Sequence, residues 1–98
     1  MHTMRRTAAF EAWLDGLKDS SAKARVLVRI DRMQNGNFGD WKSVGDGVSE
    51  LRITYGPGYR VYFTQRGAVL VVLLGGGTKA RQSRDIAAAK AVAAGLEE

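Results

Sequence analysis

The stretch from Leu51 to Gly77 limits what this chain can become more than any other. Leu51, Ile53 and Tyr55 alternate with Arg52 and Thr54, the period-two pattern of a half-buried strand. Gly56-Pro57-Gly58 breaks the run: Pro presets the φ of a turn residue and Gly accepts the positive φ that often follows. Tyr59, Val61 and Phe63 then alternate with Arg60, Tyr62 and Thr64, so a second strand repeats the first. Arg66-Gly67 marks another turn, and Ala68 to Leu74 is apolar throughout, as in a strand covered on both faces. The pattern predicts an antiparallel meander.

The hairpin sets which side chains share a face. With Tyr55 paired to Tyr59, Ile53 opposes Val61 and Leu51 opposes Phe63, an apolar face that should be buried. The reverse face then sets Thr54 opposite Arg60 and Arg52 opposite Tyr62. No acidic residue occurs from Leu51 to Ala80. Such a face is either an ordinary solvated surface or, if the sheet curves and leaves it open, an anion site.

The chain of 98 residues suits one domain spanning 1–98, above the size at which disulfides or metals become necessary. It has no cysteine, which excludes disulfides and thiolate metal sites and suits a reducing compartment. His2 is the only histidine, so a His-based acid/base pair or metal site is not expected, and neither is a cofactor. The start lacks the apolar region of a signal peptide and no run approaches a membrane span, so a cytoplasmic protein is expected. The net charge of +5 and pI of 10.0 suit nucleic acid, an acidic protein or an anionic surface.

Before the meander, Thr7 suits a helix N-cap, followed by Phe10, Trp13, Leu14 and Leu17 at helical spacing. Trp13 lies within that apolar stripe, which points to core. Ser20 or Ser21 suits a second cap, and Val26, Leu27, Ile30 and Met33 form the next stripe. The two helices should pack on the sheet as an αα-hairpin. Arg25, Arg29 and Arg32 line another face of the second helix, either solvated or contacting phosphates or a protein partner. Asn35 to Gly47 is glycine-punctuated and predicts a loop, with Phe38 and Trp41 anchoring it to the core or offering a stacking surface. Gly75-Gly76-Gly77-Thr78-Lys79 lacks the spacing of a phosphate-binding P-loop. Thr78 suits the cap of a last helix that turns Ile86, Ala89, Ala93 and Leu96 inward.

Glu50-Leu51-Arg52-Ile53, Tyr55-Gly56-Pro57-Gly58-Tyr59-Arg60-Val61-Tyr62-Phe63 and Leu73 to Lys79 together resemble HigB-type addiction-module toxins of the RelE/ParE toxin superfamily. The resemblance covers nearly the whole chain. It implies a RelE-like α+β fold: an N-terminal αα-hairpin on a small curved, mainly antiparallel sheet, with a C-terminal helix and a short edge strand within His2 to Arg6. It implies the toxin of a type II toxin–antitoxin module, partnered by a helix-turn-helix antitoxin and cleaving messenger RNA, ribosome-dependent in the usual case. Arg60 then matches the arginine that holds the scissile phosphate, and Arg52 shares that load. Lys79 or Arg81 closes the site, and Tyr62 stacks on a base or relays a proton. Lys42 flanks the RNA groove, with Arg25, Arg29 and Arg32 as further RNA contacts. The chain departs from some ribonuclease relatives, which carry Lys, Arg and Tyr where Glu50, Ala80 and Ile86 stand. Two other readings stay open. One is ParE-like inhibition of DNA gyrase without RNA cleavage. The other is a catalytically degenerate protein that binds RNA or antitoxin.

Overall fold

The computed structural model describes residues 1–96. Strand β1 spans Thr3–Arg6, followed by helices α1 (Ala8–Asp15) and α2 (Ser20–Gln34). Strands β2 (Trp41–Gly45), β3 (Val48–Ile53), β4 (Tyr59–Arg66) and β5 (Leu70–Thr78) come next. A 3-10 turn at Lys79–Arg81 then leads into helix α3, Gln82–Ala94. One five-stranded sheet has the order β1-β5-β4-β3-β2, with β1 parallel to β5 and the other neighbours antiparallel. The α+β fold and the meander are as expected, and the edge strand β1 lies within the segment proposed for it.

The sheet separates two cores. On one face Phe10 and Leu14 of α1 and Val26, Ile30 and Met33 of α2 pack on Leu51, Ile53, Val61, Phe63, Val71 and Leu73. On the other, Ala89 and Ala93 of α3 pack on Val48, Tyr62, Val72 and Leu74, with Ile86 and Leu96 at the margin. β5 therefore feeds both cores from alternate positions, which is why its run is apolar without a break. The predicted inward stripe of α3 holds. Of the α2 stripe, Leu27 is exposed instead of buried.

The two closing glycines allow the close approach of helices on both faces. A Cβ on Gly76 would lie 2.5 Å from ring atoms of Trp13 in α1, and one on Gly77 would overlap the Asp85 carboxylate of α3. A bulge switches the pairing just before them: Tyr62 opposes Gly75 while Phe63 opposes Leu73, leaving Leu74 as the extra residue.

Several local expectations need correction. Thr7 does cap α1, its Oγ accepting from the Phe10 amide at 3.2 Å. The cap of α2 is Asp19 and not a serine; its Oδ1 accepts from Ser21 at 2.9 Å and Ala22 at 3.2 Å. A carboxylate there also meets the positive end of the helix dipole. Thr78 precedes the 3-10 turn without a side-chain cap bond, so α3 begins later, at Gln82. The loop expected from Asn35 to Gly47 contains β2. Its exposed edge position removes the apolar alternation that would have marked it, and Gly45 and Gly47 belong to the β2–β3 turn with Asp46 at φ 55°.

The β3–β4 register also differs. Ile53 opposes Tyr59, Leu51 opposes Val61, Arg52 opposes Arg60 and Glu50 opposes Tyr62. Gly56 and Gly58, at φ 53° and 80°, widen the connection so that Thr54 and Tyr55 leave the ladder. A slip of two residues preserves side-chain parity. Leu51, Ile53, Val61 and Phe63 therefore still share the buried face, while every predicted pair on the reverse face is replaced.

Candidate functional site

The β3–β4 ladder places Arg52 and Arg60 directly opposite each other on the α3 side of the sheet. Like charges in that relation repel, and each is answered by its own carboxylate. Arg52 Nη2 donates to Asp40 Oδ1 at 2.8 Å in contact with solvent. Arg60 Nε lies 3.5 Å from Glu50 Oε2, with the Arg60 side chain 11% exposed and Glu50 wholly buried. Gln82, the first residue of α3, donates to the same Glu50 oxygen at 2.8 Å. Glu50 thus ties β3, β4 and α3 together. This is a correction to the picture of two open guanidinium groups: the cations are largely neutralised within the chain.

Gly58 ties the backbone of Lys79 to the Arg60 side chain. Its carbonyl accepts from Arg60 Nη1 at 3.1 Å and from the Lys79 amide at 2.9 Å. Its φ of 80° is left-handed, and a Cβ there would press within 3.3 Å of Arg60 Nη1 and 3.4 Å of Lys79 Cβ. Glycine therefore suits the turn for both conformation and space. Beyond Lys79 the chain lines a shallow depression of about 480 Å³ between Lys79 and Arg84, with exposed Arg81 and Arg84 on it. Lys42 of β2 pairs with Glu50, so it shares this face and stays exposed at the sheet edge.

Tyr62 does not fit either role proposed for it. It is 1% exposed beneath α3, so a base cannot stack on its ring. Burial first, then the charges of Glu50 and Asp85, push its phenol well above the ordinary tyrosine value, against the opposing effect of Arg60. The Glu50 side chain also interacts with its hydroxyl and adds to that rise, although no hydrogen bond of ordinary geometry reaches the Tyr62 hydroxyl, Glu50 Oε1 or Asp85 Oδ2 among the described residues. A buried neutral phenol beside two acids is a poor relay to bulk solvent.

The α2 arginines stand apart from this cluster, on the opposite face of the sheet. Arg29 is structural: Nη1 donates to the Arg52 carbonyl at 2.7 Å, and Nη2 donates to those of Phe38 at 3.3 Å and Asp40 at 3.4 Å. Burial lowers its pKa, Asp40 opposing and Arg32 adding to the shift. The Arg25 guanidinium lies over the Tyr55 ring at 4.3 Å, and Arg32 is exposed. Phe38 anchors the preceding loop, with its ring against His2 and Phe63, while Trp41 is half-exposed beside it.

The structure therefore assembles Arg52, Arg60 and Lys79, with Arg81 and Lys42 at the margin, and leaves Arg25, Arg29 and Arg32 elsewhere. Sequence reasoning noted Glu50 only as a departure from the lysine of some relatives, not as the partner of Arg60, and missed Gln82, Asp85, Asp40 and Arg84. Glu50 had a signal: it continues the alternation of Arg52 one step back, on a strand that begins at Val48 and not at Leu51. Among the described residues, no cluster of three or more histidine and acidic side chains is arranged to hold a metal, and no helix is long and apolar enough to cross a membrane.

The chain is 52% identical over 90 residues to an uncharacterized protein of Haemophilus influenzae, covering 92% of this chain and 91% of that one. Residues 12–94 match the family model described as Phage derived protein Gp49-like (DUF891). The chain belongs to this Gp49-like family, a toxin-type family of RelE/ParE-like toxin–antitoxin systems.

Proposed function

We propose that the protein is the toxin of a type II toxin–antitoxin module, HigB-like, acting in the cytoplasm as an endoribonuclease on messenger RNA at the ribosome and held in check by a helix-turn-helix antitoxin. The observation that carries the reading is the Gly58 carbonyl, which accepts from both the Arg60 guanidinium and the Lys79 backbone amide and so holds the two residues together beside Arg52 and the basic depression. In this reaction a ribose 2′-oxygen attacks the adjacent phosphorus and the bond to the 5′-oxygen breaks. The products are a cyclic phosphate and a 5′-hydroxyl. Arg60 and Lys79 bind the non-bridging oxygens and stabilise the charge that develops on them. Arg52 and Arg81 steer the neighbouring phosphates. Glu50, held by Gln82, fixes the angle of the Arg60 fork. Tyr62 supports that carboxylate's pocket from below.

A second reading draws on the internal pairing of both arginines. A site whose cations are already answered by Asp40 and Glu50 suits a protein that binds without cutting. Its targets would be gyrase, as for ParE, or RNA or the antitoxin alone. One experiment separates the readings. Purified protein is incubated with translating ribosomes and a reporter message, and new 5′ ends are mapped by primer extension. Cleavage is expected. Intact message together with inhibited gyrase supercoiling would reverse the order of the two readings.

A further inference from the structure

The outer face of α2 carries a groove of about 500 Å³, across the sheet from Arg60 and Lys79. Ala24, Arg25, Val28 and Arg32 form one wall, and Ile53 and Thr54, where β3 ends, form the other. Val28 is 49% exposed although arginines flank it, and Leu27 beside it is exposed too. One exposed valine needs no explanation. A valine inside a groove with three arginines and no acid in its lining is a different matter.

Two of those arginines are already fixed. Arg29 is held by three backbone carbonyls and Arg25 by the Tyr55 ring, so ordering them on binding costs little. We propose that this groove docks an acidic amphipathic helix of the antitoxin, an aliphatic side chain seating against Val28 and carboxylates meeting Arg25 and Arg32. The proposal rests on the toxin reading above and names the surface its partner uses. A helix fits better than a nucleic acid strand for two reasons. The apolar lining rewards an aliphatic side chain and offers a phosphate backbone nothing, and the nearest aromatic face, Tyr55, is already occupied by Arg25. From Ser21 to Arg32 the groove runs roughly 17 Å along α2, so it takes about three turns of a partner helix.

The test uses a labelled helical peptide of about fifteen residues, with leucines on one stripe and glutamates beside them. Fluorescence anisotropy should show binding that weakens with salt. Val28→Glu and Arg25→Glu should each weaken it about tenfold or more, while Arg81→Glu should not. Arg32→Ala, an exposed change, serves as a second groove variant should either of the others unfold. Equal affinity for wild type and all groove variants would overturn the proposal. So would an RNA strand of similar length whose binding, unlike that of the peptide, depends on Val28. Growth arrest on expression of the wild type provides the separate reading of toxicity. Arrest without peptide binding overturns the docking site alone. Peptide binding that depends on Val28, without arrest, supports the groove and overturns the toxin reading.

Discussion

The two faces of the sheet are stabilised in different ways. The α1/α2 face is a continuous apolar core built from five elements, α1, α2, β3, β4 and β5. The α3 face is smaller and mixed, with Ala89 and Ala93 of α3 and buried Glu50 and Tyr62 set among Val48, Val72 and Leu74. The first face derives its stability from area removed from water. The second depends on pairings, and a pairing is costly to break from one side. That asymmetry places the candidate site: its cations sit where the sheet leaves the apolar core and α3 stops covering it.

The largest expected loss of stability comes from the apolar face. Phe10 is wholly buried, so Phe10→Ala should cost about 3–5 kcal/mol. In a chain of this size that lowers Tm by on the order of 15 °C or more. Calorimetry on the variant checks it; a shift of only a few degrees would mean that the face collapses around the loss and is less well packed than its burial implies.

Arg60→Ala probes the polar face and ranks next. Truncation leaves the Glu50 carboxylate buried without its ion pair, which should cost about 3 kcal/mol. The alternation of strand β4 alone would make this a surface change, but the ion pair makes it costly. Arg60→Ala combined with Glu50→Gln should recover much of the stability and, on the ribonuclease reading, stay inactive toward RNA. Urea unfolding and primer extension on both variants measure the two effects. Equal stability of single and double variants would show that the ion pair contributes nothing, and the contrast between the faces would fail.

These two substitutions also mark how much the sequence disclosed. Phe10, Leu51, Ile53, Val61 and Phe63 announce themselves by periodicity, because an apolar face repeats with its element. Arg60 and Lys79 are visible in Gly58-Tyr59-Arg60 and Gly76-Gly77-Thr78-Lys79, and Arg52 in Glu50-Leu51-Arg52-Ile53. Their pairings with carboxylates are not, because Glu50 and Asp40 lie on elements other than those of the arginines they meet, and the pairs form only on folding. The register slip of two was invisible for a related reason: it leaves the apolar face unchanged and alters only which polar residues oppose one another. β2 escaped because an exposed edge strand carries no buried alternation, and the Leu74 bulge because nothing local marks it.

Tyr62 offers a smaller effect with a definite sign. Its phenol is neutral in the fold and its pKa is raised above the unfolded value of about 10. Folded protein therefore keeps a proton that unfolded protein releases at higher pH, and stability falls as pH rises past about 10. Below that, this group contributes no slope. The fall approaches about 1.4 kcal/mol per pH unit above the unfolded pKa. Tyr62→Phe should remove that part of the alkaline loss and cost little at neutral pH, since no hydrogen bond of ordinary geometry holds the hydroxyl. Urea midpoints at about pH 9 and pH 11 for both proteins provide the measurement. Parallel losses would show that Tyr62 is not the buried group that resists ionisation.

The least change in stability is expected at Asp40, which makes it the sharpest probe of how pairing and function are related. The Arg52–Asp40 pair is in contact with solvent, so Asp40→Asn should cost only about 0.2–1 kcal/mol. Glu50→Gln disturbs a buried pair and should cost more. Both remove a carboxylate that competes with phosphate for an arginine. If the site binds RNA, Asp40→Asn should therefore tighten binding of a short single-stranded RNA and steepen its salt dependence, because one more cation is available to the backbone. The backbone amide of Arg52 bonds to the Asp40 carbonyl, not to its side chain, so the substitution leaves the local chain path held. Anisotropy titrations across salt concentration separate the outcomes. Tighter binding places Arg52 on the nucleic acid and makes Asp40 its competitor. Unchanged affinity with an unchanged salt slope would mean that Arg52 exists to hold Asp40 and the loop before β2, leaving Arg60 and Lys79 as the only cations of the cluster with a claim on phosphate.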